Sequence, residues 1–174
     1  YSDYFENVRK NEKINYQILV VINNTHDNTE RIVKIWQKKN KHIKYLDLKQ
    51  GGKGNAIIKG FEKTTKENFD FIGFVDADMS TKPNYFYDLI KNIKNYDGVI
   101  ASRYIKGARV KPKQPMTRII VSRLGNFIIR TLFLIPYRDT QCGAKVLRNE
   151  ALKKILPSVG ITNWAFDVDL IYQL

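Results

Sequence analysis

Two aspartates one residue apart, Asp76 and Asp78, follow Phe71–Val75, a five-residue run broken only by Gly73 among apolar side chains. Such a run reads as a short buried strand. In α/β sheets ligands sit beyond the carboxyl ends of strands, so this strand would deliver both carboxylates to the place where a site forms. Residues two apart point the same way while the chain stays extended. Neighbouring carboxylates repel each other and favour a hard divalent cation with oxygen ligands, Mg²⁺ or Mn²⁺, which completes its shell with water and substrate phosphates. On the tripeptide alone, a polar turn is the simpler reading. The strand before it and the groups that accompany it favour a site.

Other stretches carry chemistry that needs company. Gly52-Lys53-Gly54 opens a helical segment, where backbone N–H groups and an ammonium could face a phosphate. It does not fit the nucleotide-hydrolysing P-loop, because Asn55 supplies no hydroxyl and the glycine spacing differs. Arg103 ends the strand-like Gly98–Ser102, where a guanidinium could hold a diphosphate through paired hydrogen bonds; an ordinary surface arginine is the bland alternative. Asp139 lies in the polar turn Asp139-Thr140-Gln141-Cys142-Gly143 and could simply cap it.

These residues need a scaffold, and the hydrophobic pattern supplies one. Tyr16–Ile22, Ile43–Leu48, Phe71–Val75, Gly98–Ser102 and Ala144–Leu147 read as strands. Helical segments are expected from about residue 29 to Lys39, from Ala56 to Lys66, from Pro83 to Lys94, over Met116–Leu134, over Asn149–Leu156 and from Trp164 onward. Strands alternating with helices imply a three-layer α/β/α fold around a mostly parallel sheet. Tyr104–Pro115, basic and carrying glycine and prolines, reads as a mobile loop. On Met116–Leu134, Arg118, Ser122, Arg123, Asn126 and Arg130 share one arc, with Ile120, Leu124, Phe127, Ile128 and Leu132 on the rest. That pattern suits a membrane-surface helix and equally a helix packed on the sheet.

Composition sets bounds. A chain of 174 residues, 43% hydrophobic, holds one domain with a real core. Its one cysteine, Cys142, permits no internal disulfide and makes a reducing compartment the default. His26 and His42 lack metal-ligand spacing, and no apolar run reaches transmembrane length. The chain opens without Met and closes on helix-like Asp-Leu-Ile-Tyr-Gln-Leu, which reads as an excerpt of a longer protein. The net charge of +13 is concentrated: Gly98–Arg138 carries nine basic residues (Arg103, Lys106, Arg109, Lys111, Lys113, Arg118, Arg123, Arg130 and Arg138) and no acidic one. A localised field of that sign calls for an anionic partner.

Taken together and in order, Val20-Val21-Ile22-Asn23-Asn24-Thr25-His26-Asp27-Asn28-Thr29, Gly52-Lys53-Gly54-Asn55-Ala56, Val75-Asp76-Ala77-Asp78, Ser102-Arg103, Asp139-Thr140-Gln141-Cys142-Gly143 and Trp164-Ala165-Phe166-Asp167-Val168-Asp169 resemble the family 2 inverting glycosyltransferases. The last two groups look most like the dolichyl-phosphate β-glucosyltransferase branch, with polyprenyl-phosphate mannosyltransferases a close sister. The resemblance spans nearly the whole chain. It implies a GT-A fold over residues 1–174, a nucleotide sugar donor and a divalent metal on Asp76 and Asp78. It further implies phosphate binding by Arg103 and a place for Asp139 at the acceptor side of the sugar pocket. Asn23, Lys53, Gly54, Arg118, Arg123, Gln141 and Asp167 complete the candidate substrate-binding set. Two departures stand out: the family's first strand, with its nucleotide-holding turn, is absent, and Ile22-Asn23-Asn24-Thr25 replaces the Asp-Asp-Gly-Ser of many members.

The expected reaction moves a hexose, glucose from UDP-glucose, onto a dolichyl or polyprenyl phosphate at the cytoplasmic face of a membrane. Transfer of mannose from GDP-mannose is the runner-up, followed by a polysaccharide or protein-glycan acceptor. The stretch 104–138 would be a basic loop and amphipathic helix facing the anionic membrane. Nucleic acid would explain the charge, but paired aspartates at a strand end would repel its phosphates, so no nucleic-acid partner is expected.

Overall fold

The computed structural model describes residues 1–108, 115–160 and 165–174, except the side chain of Arg118. Lys111, Lys113, Arg109, Trp164 and the side chain of Arg118, all named above, lie outside the described set. In chain order the elements are α1 (Ser2–Glu12), β1 (Ile18–Asn23), α2 (Thr29–Lys39), β2 (Ile43–Leu48), α3 (Lys53–Thr64), β3 (Phe71–Val75) and α4 (Pro83–Asn92). They continue with β4 (Gly98–Ile100), α5 (Met116–Phe133), β5 (Ala144–Arg148), α6 (Asn149–Ile155) and α7 (Phe166–Tyr172). Strands and helices alternate through β4, as the hydrophobic runs imply, and the fold is α/β.

The strands form two sheets. β1 and β2 pair in parallel from Ile18↔Ile43 to Asn23↔Leu48. In the other sheet β5 lies between β3 and β4 and is antiparallel to both, with Val75 opposite Ala144 and Ile100 opposite Lys145. β3 and β4 therefore run in the same sense, and the parallel expectation fails only for the inserted strand. The reason is connectivity. After β4 the chain passes through α5 and re-enters at the end of the sheet it left, where the Ala101 N–H donates to the Ala144 carbonyl at 3.0 Å, so β5 runs back against β4 without any change in its apolar content.

Helix α3 contacts both β1 and β3 and so bridges the two sheets. Its inner residues Ile58 and Phe61 join Ile72, Leu147, Leu152, Val159, Phe166 and Leu170 in the main core. The start of α3 depends on Gly52, whose φ of 120° is open to glycine but strained for other residues. The helix begins three residues before the Ala56 start expected from sequence, which places Lys53 on its first turn. Asn149 anchors the other end of β5: its side-chain amide donates to the carbonyls of Glu67 and Phe69 at 3.2 and 2.8 Å. An aromatic cluster of Phe5, Tyr16 and Tyr87 seals α1 against α4.

Helix α5 is turned opposite to a normal amphipathic helix. Asn126, on its polar arc, is 3% exposed, while Val121 and Leu132 on the apolar side are 70% and 72% exposed. Ile120, Leu124, Phe127 and Ile128 also face outward. Each such side chain forgoes about 1.5–3 kcal/mol of burial, and a contiguous apolar patch of this kind marks an interaction surface. What holds the helix down is polar. Asn126 donates to the Ser122 carbonyl at 2.9 Å and accepts from the N–H and hydroxyl of Thr140 at 3.3 and 3.2 Å. Ile129 and Ile135 add a small apolar contact with Val168 and Ile171.

Candidate active site

The site forms where β3 ends and β5 begins. The Asp76 N–H donates to the Gly143 carbonyl at 2.9 Å, extending the β3–β5 ladder by one bond. Gly143 must be glycine here: a Cβ built on it would stand 1.8 Å from Asp76 Oδ2 and 2.4 Å from Asp76 Cγ. The missing side chain is therefore the space that the carboxylate occupies. Asp78 lies in the turn that follows. Its Oδ1 accepts the Ser80 N–H at 2.9 Å, and chiefly that bond holds its pKa below the usual carboxylate range. The next residue, Met79, adopts a left-handed φ of 61°, which keeps the turn tight.

Lys53 reaches into this strand end from the first turn of α3. Its Nζ lies 3.0 Å from Asp76 Oδ1 and 3.6 Å from Asp167 Oδ2. Burial pulls its pKa down, but the attraction of Asp167 and then Asp76 outweighs this and keeps the ammonium above its usual range. Asp167, on the first turn of α7, gives its other oxygen to Lys145 Nζ at 2.5 Å. Lys145 is 1% exposed and also donates to the Cys142 carbonyl at 2.8 Å. Its burial pushes its pKa down, against the pull of Asp167. The charges thus alternate along Asp76, Lys53, Asp167 and Lys145.

A second ionic unit flanks the first. Asp139 is fully buried and accepts Arg103 Nε at 2.9 Å, Nη2 at 2.7 Å and the Arg103 backbone N–H at 2.8 Å. This bidentate bond to Asp139 raises the guanidinium's pKa further above its ordinary value. Asp139 is therefore sealed from solvent, and its carboxylate fixes the Arg103 guanidinium in place. Arg103 presents what remains of its donor fork. Tyr104 lies beside it, its ring centroid 5.5 Å from Arg103 Cζ and 5.7 Å from Arg123 Cζ. The Tyr104 and Ser122 hydroxyls share a hydrogen bond of 2.7 Å.

The sequence candidates fall into three groups. Asp76, Lys53 and Asp167 converge, with Asp78 in the adjoining turn, and Arg103 with Asp139 forms the adjacent unit. Gly54 is buried inside α3, and Gln141 is exposed beyond the buried Thr140. Asn23 closes β1 on the other sheet, opposite Leu48; its neighbour Asn24 touches the glycine loop, with its Cβ 3.8 Å from where a Gly51 Cβ would stand. Arg118 belongs to α5, with its side chain outside the described set. Lys145, Tyr104 and Asn126 were not singled out by sequence as site residues. A lysine within Ala-Lys-Val-Leu is the one sequence signal that marks Lys145 as paired.

The donors suit a hard cation. Asp76 already attracts an ammonium at 3.0 Å, Gly143 keeps its carboxylate in place, and Asp78 is held ionised. Among the described residues no third His, Cys, Asp or Glu joins them. Two carboxylates completed by substrate phosphates and water are a common Mg²⁺ arrangement. Cys142 has no part in this chemistry. It is buried, and burial, then Asp139, pushes its thiol pKa up. In the folded chain at pH 8 it should therefore react with a thiol reagent far more slowly than in urea; equal rates would contradict its burial.

Known proteins bear on this geometry. The model of the family described as glycosyl transferase family 2 matches residues 3–156. A dolichyl-phosphate beta-glucosyltransferase of Dictyostelium discoideum is 28% identical, over 96% of this chain and 53% of that protein. A second protein of that name, from Trichomonas vaginalis, is 31% identical over 93% of this chain and 49% of its own. A polyprenol monophosphomannose synthase of Mycolicibacterium smegmatis is 28% identical over 76% and 50%. The chain thus spans about half the length of these relatives. With strand-end aspartates, arginine and glycine loop all inside the matched residues, the chain belongs to glycosyl transferase family 2 and has that family's GT-A fold.

Proposed function

We propose that residues 1–174 form a single catalytic domain that transfers a hexose, glucose from UDP-glucose, to a dolichyl or polyprenyl phosphate at the cytoplasmic face of a membrane. The observation that carries the reading is the juxtaposition of the Asp76–Lys53 strand end with Arg103–Asp139 and the outward-facing apolar side of α5. One half suits a water-soluble, phosphate-bearing donor and the other a lipid. The dolichyl-phosphate beta-glucosyltransferases that the chain resembles support the same pairing. Among the described residues no helix is long and apolar enough to cross a membrane. This domain's own membrane contact would be made along the surface by the outward apolar side of α5. Well-placed basic residues would add about 1 kcal/mol each on an anionic leaflet.

In this mechanism Asp76 and Asp78 would hold the divalent ion, which when bound offsets charge on the donor's diphosphate. Lys53 sits where it can turn from Asp76 to a phosphate oxygen, and Asp167 keeps it within reach. Arg103, aimed by Asp139, offers its free N–H groups to the leaving diphosphate. The acceptor phosphate monoester, with a second pKa near ~6, is largely dianionic at neutral pH. It therefore needs no strong base, which agrees with the burial of Asp139. In-line attack inverts the anomeric carbon.

The test offers labelled UDP-glucose and GDP-mannose separately to membranes containing the full-length protein and polyprenyl phosphate. Label from UDP-glucose should enter the lipid fraction, disappear with EDTA and return with Mg²⁺ or Mn²⁺. Label from GDP-mannose instead moves the donor to the second reading, which the mannose-synthase relative supports. No lipid label from either donor would remove the lipid acceptor.

A further inference from the structure

Lys53 and a divalent ion have claims on one carboxylate. The Lys53 ammonium stands 3.0 Å from Asp76 Oδ1 and 3.3 Å from Oδ2, so it covers both oxygens that a cation would use. Among the described residues, no third His, Cys, Asp or Glu joins Asp76 and Asp78. Mg²⁺ in such a setting is usually held by carboxylates together with substrate phosphates, not by the protein alone. Lys53 must give up its charge-assisted bonds before a lone divalent ion can sit there, and the displaced ammonium then faces like charge.

The mounting of Lys53 gives its head a second position. Its backbone is fixed: the Ala56 N–H donates to the Gly52 carbonyl at 2.9 Å, and the Asn55 side-chain amide donates to the Gln50 carbonyl at 3.1 Å. Its side chain is 43% exposed and turns on a flexible four-carbon stem. Asp167 Oδ2 lies 3.6 Å from the same ammonium, while the buried Lys145 holds the other Asp167 oxygen at 2.5 Å. Asp167 is thus a fixed anchor with a looser hold on Lys53 than Asp76 has. Leaving Asp76 for Asp167 alone is costly, and it becomes cheap when a phosphate oxygen supplies a further partner.

We infer, on the reading of Asp76 and Asp78 as the metal carboxylates, that Lys53 couples the two ligands of the site. The ammonium holds a lone divalent ion off Asp76 and yields the carboxylate when a nucleoside diphosphate draws it away. The diphosphate therefore raises metal affinity through Lys53 as well as through its own oxygens. By linkage, the metal raises diphosphate affinity by the same factor.

Binding is read on the full chain by the loss of the free Mn²⁺ electron paramagnetic resonance signal, with Mn²⁺ alone and then with UDP or GDP. The Mn²⁺ that the nucleotide holds by itself is subtracted. Lys53→Met should bind Mn²⁺ alone about tenfold more tightly than wild type, the equivalent of one charge-assisted bond no longer opposed. The factor by which either nucleotide tightens Mn²⁺ should shrink about tenfold relative to wild type. Lys53→Arg keeps a cation on Asp76 and should bind Mn²⁺ alone as weakly as wild type. Lys82→Met, an equal charge change at the N-cap of α4 just beyond Asp78, should also match wild type. A damaged fold does not raise metal affinity, so the gain separates competition from mere support of the strand end. Unchanged or weaker Mn²⁺ binding by Lys53→Met, or an equal gain in either control, would overturn the coupling; wild-type binding of Mn²⁺ with nucleotide would then leave the metal carboxylates standing. No Mn²⁺ binding in any variant with nucleotide present would remove the metal from Asp76 and Asp78, and the coupling with it.

Discussion

Replacing Lys145 by methionine is expected to lower the stability of the chain by about 3–5 kcal/mol, the usual cost of breaking a buried ion pair from one side. For a chain of this size that is a fall in Tm of roughly 6–20 °C, read by thermal circular dichroism. The size follows from burial. Lys145 is 1% exposed and the Asp167 side chain 12%, so water cannot take over the role of the lost ammonium. Methionine fills much the same volume, which leaves charge and not cavity as the cause. The double variant Lys145→Met/Asp167→Leu should recover most of the loss, since replacing both partners of a buried pair by apolar residues is often neutral or stabilising. It would still lack the carboxylate that shares Lys53, so stability and transfer activity should separate. A single variant within about 1 kcal/mol of wild type would mean that the pair contributes no more than a surface salt bridge.

Gly143→Ala should do the reverse, costing about 100-fold in kcat/KM for lipid labelling with little change in Tm. The added methyl group collides with the Asp76 carboxylate at 1.8 Å, so the carboxylate must move. The Asp76 side chain is 35% exposed and has solvent to swing into, which spares the fold. A displacement of about 1 Å at a reacting group commonly costs about 10²-fold. Since φ at Gly143 lies outside the left-handed region, alanine adds no backbone strain, and the effect belongs to the carboxylate. Activity retained in this variant would remove Asp76 from the machinery while leaving Asp78 in place.

Much of this site was legible in the sequence because its parts are local. A buried run ending in Asp76-Ala77-Asp78 states its own geometry, and Ile43–Leu48 emerges as a strand with the same bounds. What was not legible depends on distant contacts. Periodicity finds the two arcs of α5 but cannot say which one faces inward; Asn126 decides that by bonding to Thr140. The sequence leaves Asp139 open between a cap and a site residue, and its burial against Arg103 comes only from the fold. The direction of β5 is not written in Ala144–Arg148 either, because reversing a strand leaves its side-chain alternation unchanged.

That strand has a consequence for the order of folding. β5 is the centre of its sheet yet the last of the strands in sequence, so β3 and β4 have no ladder until residues 144–148 have been made. On the ribosome the β1–β2 pair can close early, while two apolar edges wait for a partner about 70 positions further on for Phe71–Val75 and about 45 for Gly98–Ile100. Such edges invite pairing with other chains. The carboxylate of Asp76 meets its glycine only when β5 slots in, so the candidate-site end of the sheet would be among the last features of the nascent protein to take shape.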